Sequence, residues 1–295
     1  MSNDNTGKFL ASITDKKEII KRIIDDIGAR ISERPPGLLT GFTELDNILR
    51  GLRCGNLIVV AGHEGIGVTS LALGICEHLS IKNNIPVLYF SMEMSKERLL
   101  ERMMTSHAHI DLLKISRGKL QKSDWDKLNR TVCLISEKPI YVDETPRLTV
   151  DEIRDRAKKV RKYKDIKCIV IDYFQIMRSK RSAHFDEKAV AEISRKLKIL
   201  AVELNIPVIL LAHLNLDLIR QDEDRHQPMV EDLGEAILLD RFADVVILIN
   251  RESYYSFKSP TSKDAEILIV RNRYGPTGIV ALNFYQKYAR FENVV

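Results

Sequence analysis

The chain has 295 residues, of which 44% are hydrophobic and 29% charged, enough apolar side chain to bury one large core and too much for a chain disordered throughout. Lysine and arginine number 46 against 41 aspartate and glutamate, a formal charge of +5; so mild a surplus permits a nucleic-acid partner without demanding one. No stretch approaches the roughly 18 consecutive apolar residues of a membrane span, and the N-terminus "MSNDNTGKFLASITDKKE" has no apolar signal core, so a soluble, cytoplasmic protein without membrane contact is expected.

The first predicted element is a helix over "KKEIIKRIIDDIGARI", whose isoleucines at 19, 20, 23, 24, 27 and 31 form one apolar stripe opposite a charged face. The Pro35-Pro36-Gly37 break ends this helix and leaves it on a tether outside the main core. Residues 1–37 are therefore expected as a tail with a linker helix and 38–295 as the main domain. The stripe requires a docking surface, either on its own domain or on a neighbouring subunit.

Strands and helices then alternate: "LIVVAG" from Leu57, a helix over Thr69 to Ser80, "VLYFSM", and a helix from Ser95. A longer helical and loop region runs through Trp125 to "PIYVDE", followed by a helix over Val150 to Tyr163, "KCIVIDYF", a helix over Val190 to Leu204, and "PVILLAH". The final third carries "ADVVILIN", "AEILIVRN" and "IVALNFY" at close spacing. Continuous apolar runs separated by helices predict an α/β fold with a mostly parallel sheet covered on both faces, and the late strands predict an antiparallel extension at one edge. Cys54, Cys76, Cys133 and Cys168 form no Cys-x-x-Cys pair and are expected as reduced, buried thiols.

"GHEGIGVTS", Gly62 to Ser70, follows the first strand and opens a helix. The pattern G-x-x-x-x-G-K-[ST] holds a nucleotide because backbone N–H groups and a helix N-terminus surround the phosphates, the lysine contacts the β and γ phosphates, and the hydroxyl holds Mg²⁺. Gly62, Gly65, Gly67 and Thr69 match it, Ile66 and Ser70 complete the loop, and Val68 stands where the lysine is expected. His63 lies on the approach to the loop and is not expected to replace the missing charge. "CIVID" ends in Asp172, at the place for a carboxylate that coordinates Mg²⁺, and "YFSMEMS" puts Glu93 where a carboxylate deprotonates an attacking water. ATP and Mg²⁺ are the cofactors these parts call for.

The motifs together resemble the RecA-like ATPase domain of DnaB-type replicative DNA helicases, hexameric motors of superfamily 4. "TGFTELDNILRGLRCGNLIVVAG" resembles the family's entry into its nucleotide loop, "RGKLQKSDWDKL" and "PIYVDETPRLTVDEIRDRAKK" its middle segment, and "IVIDYFQIM" its Walker B motif. "EISRKLKILAVELNIPVILLAHLN" resembles its helix and sensor strand, and "RNRYGPTG" the segment that reaches a neighbour's nucleotide. The likeness implies a P-loop NTPase fold in which Thr69 and Asp172 hold Mg²⁺, Glu93 is the general base, and Arg271 and Arg273 act in trans as finger residues on the next subunit. A finger used in trans makes the active unit an oligomer, a hexamer in this family, and the family's linker helix docks on the adjacent subunit.

Several positions depart from that pattern. Val68 neither neutralises a triphosphate nor follows its charge toward the leaving oxygen, so hydrolysis is expected to fall by orders of magnitude. In the sensor strand His213 replaces a glutamine and Leu216 an arginine, and "DLGEAI" has Gly234 in place of an arginine; a histidine there would change charge near neutral pH. Arg178, Lys180 and Arg181 after the Walker B strand are candidates for single-strand DNA phosphates, whereas Asp222, Glu223 and Asp224 in the second channel loop would repel them. About 37 residues precede the core, fewer than the family's helical collar needs, so a collarless ring or a subunit in a ring made by another protein is expected. The expected function is thus a DnaB-like helicase core translocating on single-stranded DNA with impaired hydrolysis, or a non-hydrolysing relative that binds or regulates a replicative helicase. A recombinase of the wider RecA-like group would share the glycine loop but has no use for "DETPRLTVDEIR" or "RNRYGPTG".

Overall fold

In the computed structural model, which describes residues 16–31, 37–178, 187–214, 228–229, 231–233, 238–251 and 264–294, β1 (Leu57–Gly62) lies in the middle of the sheet. It pairs in parallel with β5 (Val208–His213) on one side and β6 (Val245–Asn250) on the other. All six β1 residues are buried, which is why its run is apolar without alternation. Beyond β5 come β4 (Cys168–Asp172), β2 (Val87–Ser91) and β3 (Ile140–Asp143), all parallel. On the β6 side, β7 (Asp264–Asn272), β8 (Gly278–Tyr285) and β9 (Arg290–Asn293) extend the sheet antiparallel. The expected parallel sheet with an antiparallel edge is present, and β6, the first of the late strands, belongs to its parallel part.

The helices, in chain order, are α1 (Lys16–Ile31), α2 (Thr43–Leu49), α3 (Val68–Cys76), α4 (Lys96–Ala108), α5 (Leu112–Ser116), α6 (Lys122–Ser136), α7 (Val150–Lys164), α8 (Glu187–Leu204) and α9 (Leu238–Phe242). One core layer joins Leu45 of α2, Leu71 and Ile75 of α3 and Met103 of α4 to Val60, Tyr89 and Ile247 of the sheet. The other joins Ile153 of α7 and Leu197 and Leu200 of α8 to Val59, Ile171 and Leu210. Alternate residues of the central strands point into the two layers, so both sheet faces are covered. The helix expected over Thr69 to Ser80 is α3 continued by a π-helical segment, Glu77–Lys82. The helix expected over Val150 to Tyr163 is α7, whose start is set by a capping box in which Thr149 and Glu152 satisfy each other's backbone N–H.

One expectation requires correction. Cys76 and Cys168 are buried free thiols, but Cys54 and Cys133 are exposed. Cys54 sits in the turn before β1, and α6 buries only Asp124, Thr131 and Ile135, leaving Cys133 on its outer face. In α1, Ile20, Ile23 and Ile24 are exposed, so at these positions the stripe is not docked on the chain's own domain. Among the described residues no helix is long and apolar enough to cross a membrane.

Candidate functional site

Because β1, β4, β5 and β6 run parallel, their C-terminal ends arrive at one edge of the sheet, and the residues that follow them converge there. Gly65 and Gly67 have φ of +78° and +117°, a region that only glycine enters without strain. A Cβ on Gly67 would also lie 2.9 Å from Cε2 of Phe291. The loop thus turns tightly against β8 and β9 and delivers the N-terminus of α3, with its unpaired backbone N–H groups, to the edge of a cleft of about 410 Å³. His63, Gly65, Gly67, Val68, Thr69, Ser70, Glu93 and His213 all line this cleft. Of the residues expected to form the loop, Gly62 and Ile66 stand behind it: both are buried, and Ile66 places its side chain in the core.

Thr69 Oγ1 donates a 3.1 Å hydrogen bond to Oδ2 of Asp172, so the two expected Mg²⁺-holding residues meet although β5 separates their strands. The phenol of Tyr89 donates to the same oxygen at 2.7 Å. Burial pushes the Asp172 carboxyl up to about 6, and the charge of Glu93 adds to that, while the bonds from Tyr89 and Thr69 and the charge of Arg102 oppose it. Tyr89, wholly buried and beside Asp172, is pushed well above its ordinary value and keeps its proton. Glu93 is exposed on the cleft wall.

His213 ends β5 and is braced from the segment after Asp172. Gln175 Nε2 donates to the His213 carbonyl at 2.7 Å, Gln175 Oε1 accepts from the His213 N–H at 3.2 Å, and the Tyr173 ring meets the imidazole edge-on at 4.2 Å. Burial holds the imidazole below its ordinary 6.5, with Glu93 and Glu64 acting the other way. This lowering favours the uncharged form of the ring.

Val68 is buried in the same core layer as Ile66 and Ile249 while also forming part of the cleft floor. Its side chain supplies packing in the position where a lysine would supply charge. The arginines that line the cleft are Arg102, from α4, and Arg251, which follows β6. Neither is in the glycine motif. The signals for them in the sequence are slight: an arginine on the helix after "SMEMS" and an arginine directly after an apolar strand. Tyr89 likewise escapes sequence reasoning, and its signal is a phenol in a buried strand, which must find a partner.

The expected finger residues lie away from the cleft. Arg271 Nη1 is 2.7 Å from Oδ2 of Asp240, and Arg273 Nη1 is 3.4 Å from Oδ1 of Asp244. Of the DNA candidates, Arg178 is exposed beside α7, with Nη2 3.4 Å from Oε1 of Glu152. Lys180, Arg181, Leu216, Gly234 and the acidic stretch 222–224 lie outside the described residues.

The DnaB-like helicase C terminal domain family model matches residues 37–293. The replicative DNA helicase DnaB of Geobacillus stearothermophilus is 38% identical over 259 residues, covering 88% of this chain and 57% of that protein. The chain spans a little over half the length of the curated relatives it matches. Among solved structures, an isolated ATPase domain superposes with a TM-score of 0.89 at 28% identity over 96% of this chain and 100% of that one. A DnaB-like replicative helicase described with its primase interactions gives 0.86 at 28% identity, over 96% of this chain and 68% of that one. The family model covering residues 37–293, with relatives 35–38% identical over 88% of the chain and a sheet shared with these ATPase domains, places the chain in the DnaB-like helicase C-terminal domain family.

Proposed function

We propose that the chain binds ATP with Mg²⁺ at the cleft between β1, β4 and β5 and works as the ATPase core of a DnaB-type helicase ring on single-stranded DNA, with hydrolysis slowed by Val68. The observation that carries this is the hydrogen bond by which Thr69, on the lining of the glycine loop's cleft, reaches the buried Asp172, with Glu93 on the same lining. Among the described residues no cluster of three or more His, Cys, Asp or Glu converges to hold a metal. The hydroxyl of Thr69 and the carboxylate of Asp172 suit Mg²⁺, which commonly uses one or two protein oxygens together with substrate phosphates. When bound, Mg²⁺ neutralises phosphate charge; Thr69 and Asp172 are the residues to hold it. The N–H groups at the start of α3 would cradle the phosphates, and Glu93 would orient and deprotonate the attacking water.

Arg271 and Arg273 lie outside the cleft of their own chain, as residues acting on a neighbour must, and the uncovered isoleucines of α1 supply an apolar face for that neighbour. Both support an oligomer, a hexamer or a mixed ring with another helicase of this type. Arg178, with Lys180 and Arg181, is proposed for the DNA phosphates.

The burial of Val68 favours a second reading, a non-hydrolysing subunit that binds nucleotide and assembles with a replicative helicase. The test is single-strand-stimulated ATP turnover of the unmodified chain beside Val68→Lys, with Glu93→Gln as the blank. Turnover in the unmodified chain that Glu93→Gln abolishes supports the motor. Turnover confined to the lysine variant supports the assembly subunit, and none in either overturns the hydrolytic reading.

A further inference from the structure

The cleft has a cation that the glycine motif does not provide. Arg251 is the first residue after β6, and β6 runs parallel to β1 with Leu248 opposite Ala61. The end of β6 is thereby carried to the level of the phosphate loop. The Arg251 side chain is directed inward: the residue is only 7% exposed, its Nη1 donates to the carbonyl oxygen of Ile66 at 3.1 Å, and its Cζ sits 3.8 Å from the centroid of the Phe284 ring. Phe284 in turn packs on Phe291, ring centroids 4.6 Å apart, and these are the two rings against which Gly67 is pressed. One aromatic pair therefore supports both the backbone of the loop and the plane of the guanidinium.

A guanidinium stays charged at all physiological pH and presents its N–H donors in a fixed fork that suits phosphate oxygens. Enclosed by protein, such a charge acts on a nearby anion more strongly than it would in water. Arg251 borders the same cleft as Gly67, Val68 and Thr69, where a nucleotide's phosphates would lie.

We propose that Arg251 supplies the fixed positive charge of the phosphate cradle that Val68 does not, reaching it from the end of β6 instead of from α3. The proposal rests on the nucleotide-site reading above. The charge is held by the sheet and the Phe284 ring, so it serves binding; unlike a lysine on the loop, it is not free to follow the phosphate as charge develops on the leaving oxygen. Binding without fast hydrolysis is the consequence.

The experiment is equilibrium binding of MgATP, MgADP and AMP to the full chain, to Arg251→Gln, which retains an N–H donor for Ile66, and to Arg251→Lys, which retains the charge. A charge-assisted contact of ordinary strength predicts an ATP affinity lower by on the order of tenfold in Arg251→Gln, a smaller loss for ADP and little for AMP, with Arg251→Lys close to the unmodified chain. Equal losses for all three nucleotides, or none, would overturn the proposal, since a residue that merely props the loop has no reason to count phosphates. Val68→Lys gives a second measurement that leaves Arg251 in place. If the charge is already present, ATP affinity changes by less than about threefold; a gain of about tenfold or more shows that the gap was unfilled and overturns the proposal. An unmodified, folded chain that binds none of the three nucleotides would sink the nucleotide site itself, an outcome distinct from these.

Discussion

Arg273 reaches the buried carboxylate of Asp244, its Nη1 3.4 Å from Oδ1, and the other oxygen of that carboxylate accepts from Lys198 Nζ and from the backbone N–H of Leu57 at the start of β1. The side chain proposed to act on a neighbour's nucleotide is thus tethered in its own subunit to the strand that carries its own phosphate loop. Lys198 keeps Asp244 paired if Arg273 is removed, and the arginine side chain is 42% exposed. Arg273→Ala is accordingly expected to melt within a few degrees of the unmodified chain, because the buried carboxylate keeps its bonds from Lys198 and Leu57 and the partner lost is a half-exposed arginine at 3.4 Å, whose contact solvent screens.

The same variant should nevertheless lose ATP turnover. Mixed with Glu93→Gln, which lacks the base but retains the finger, it should regain part of it, because some interfaces then combine an intact base with an intact finger. Two inactive variants that stay inactive when co-assembled, with mixed assembly confirmed by mass, would place the finger's action within one subunit.

Val68→Lys exchanges packing for charge. The new stem can occupy the space of the valine while the ammonium emerges into the cleft, so the expected cost is modest, about 1–2 kcal/mol in a urea melt without nucleotide. Single-strand-stimulated ATP turnover should rise by about tenfold or more, since a lysine here meets charge that develops in the transition state. A folded, oligomeric variant without that gain would mean that the rest of the site is not competent.

Tyr89→Phe removes one of the two hydroxyls that donate to Oδ2 of Asp172 while preserving the ring's packing. Hydrogen bonds to charged groups contribute about 1.5–3 kcal/mol, and a destabilisation of that size is expected by urea denaturation. More Mg²⁺ should also be needed for half-maximal ATP binding, because the phenol that aligns the carboxylate is gone. An unchanged Mg²⁺ requirement would reduce Tyr89 to a packing residue.

Arg290 joins β9 to α3's π-helical continuation through Glu77, with Nη1 to Oε2 at 2.6 Å and Nη2 to Oε1 at 3.0 Å. Burial alone would raise the Glu77 carboxyl, but His107 and Arg290 together bring it down to about 2 from an ordinary 4.5. A depressed folded-state value means that the contribution is present above about pH 4.5 and is lost as pH falls toward about 2. Arg290→Met leaves the buried carboxylate without its bidentate partner and is expected to cost about 3–5 kcal/mol at neutral pH. Guanidinium melts across that acid window should show a smaller loss of stability on acidification than in the unmodified chain. Parallel pH profiles for the two would refute this.

Deleting the residues before Pro35 removes α1 with its exposed Ile20, Ile23 and Ile24. If these dock on a neighbour, the shortened chain should show a lower mass by light scattering at equal concentration. An unchanged mass would assign the stripe to some other role.

Consecutive residues were enough to specify the sheet and the loop. Runs such as "LIVVAG" and "CIVID" are apolar throughout because both faces of a parallel strand are covered, and glycines at 65 and 67 are required by the positive φ of the turn. These are local demands, met within a few positions of one another. Glu93, Thr69 and Asp172 were legible for the same reason, since each sits at the C-terminal end of its strand or the start of its helix. Their surroundings came from the fold. Tyr89 meets Asp172 across 83 positions of sequence and Arg251 meets Ile66 across 185, and no spacing rule links residues brought together by strand order. Burial likewise separated Cys76 from Cys133 and lowered the basicity of His213, because the exposure of a side chain depends on what the rest of the chain packs against it.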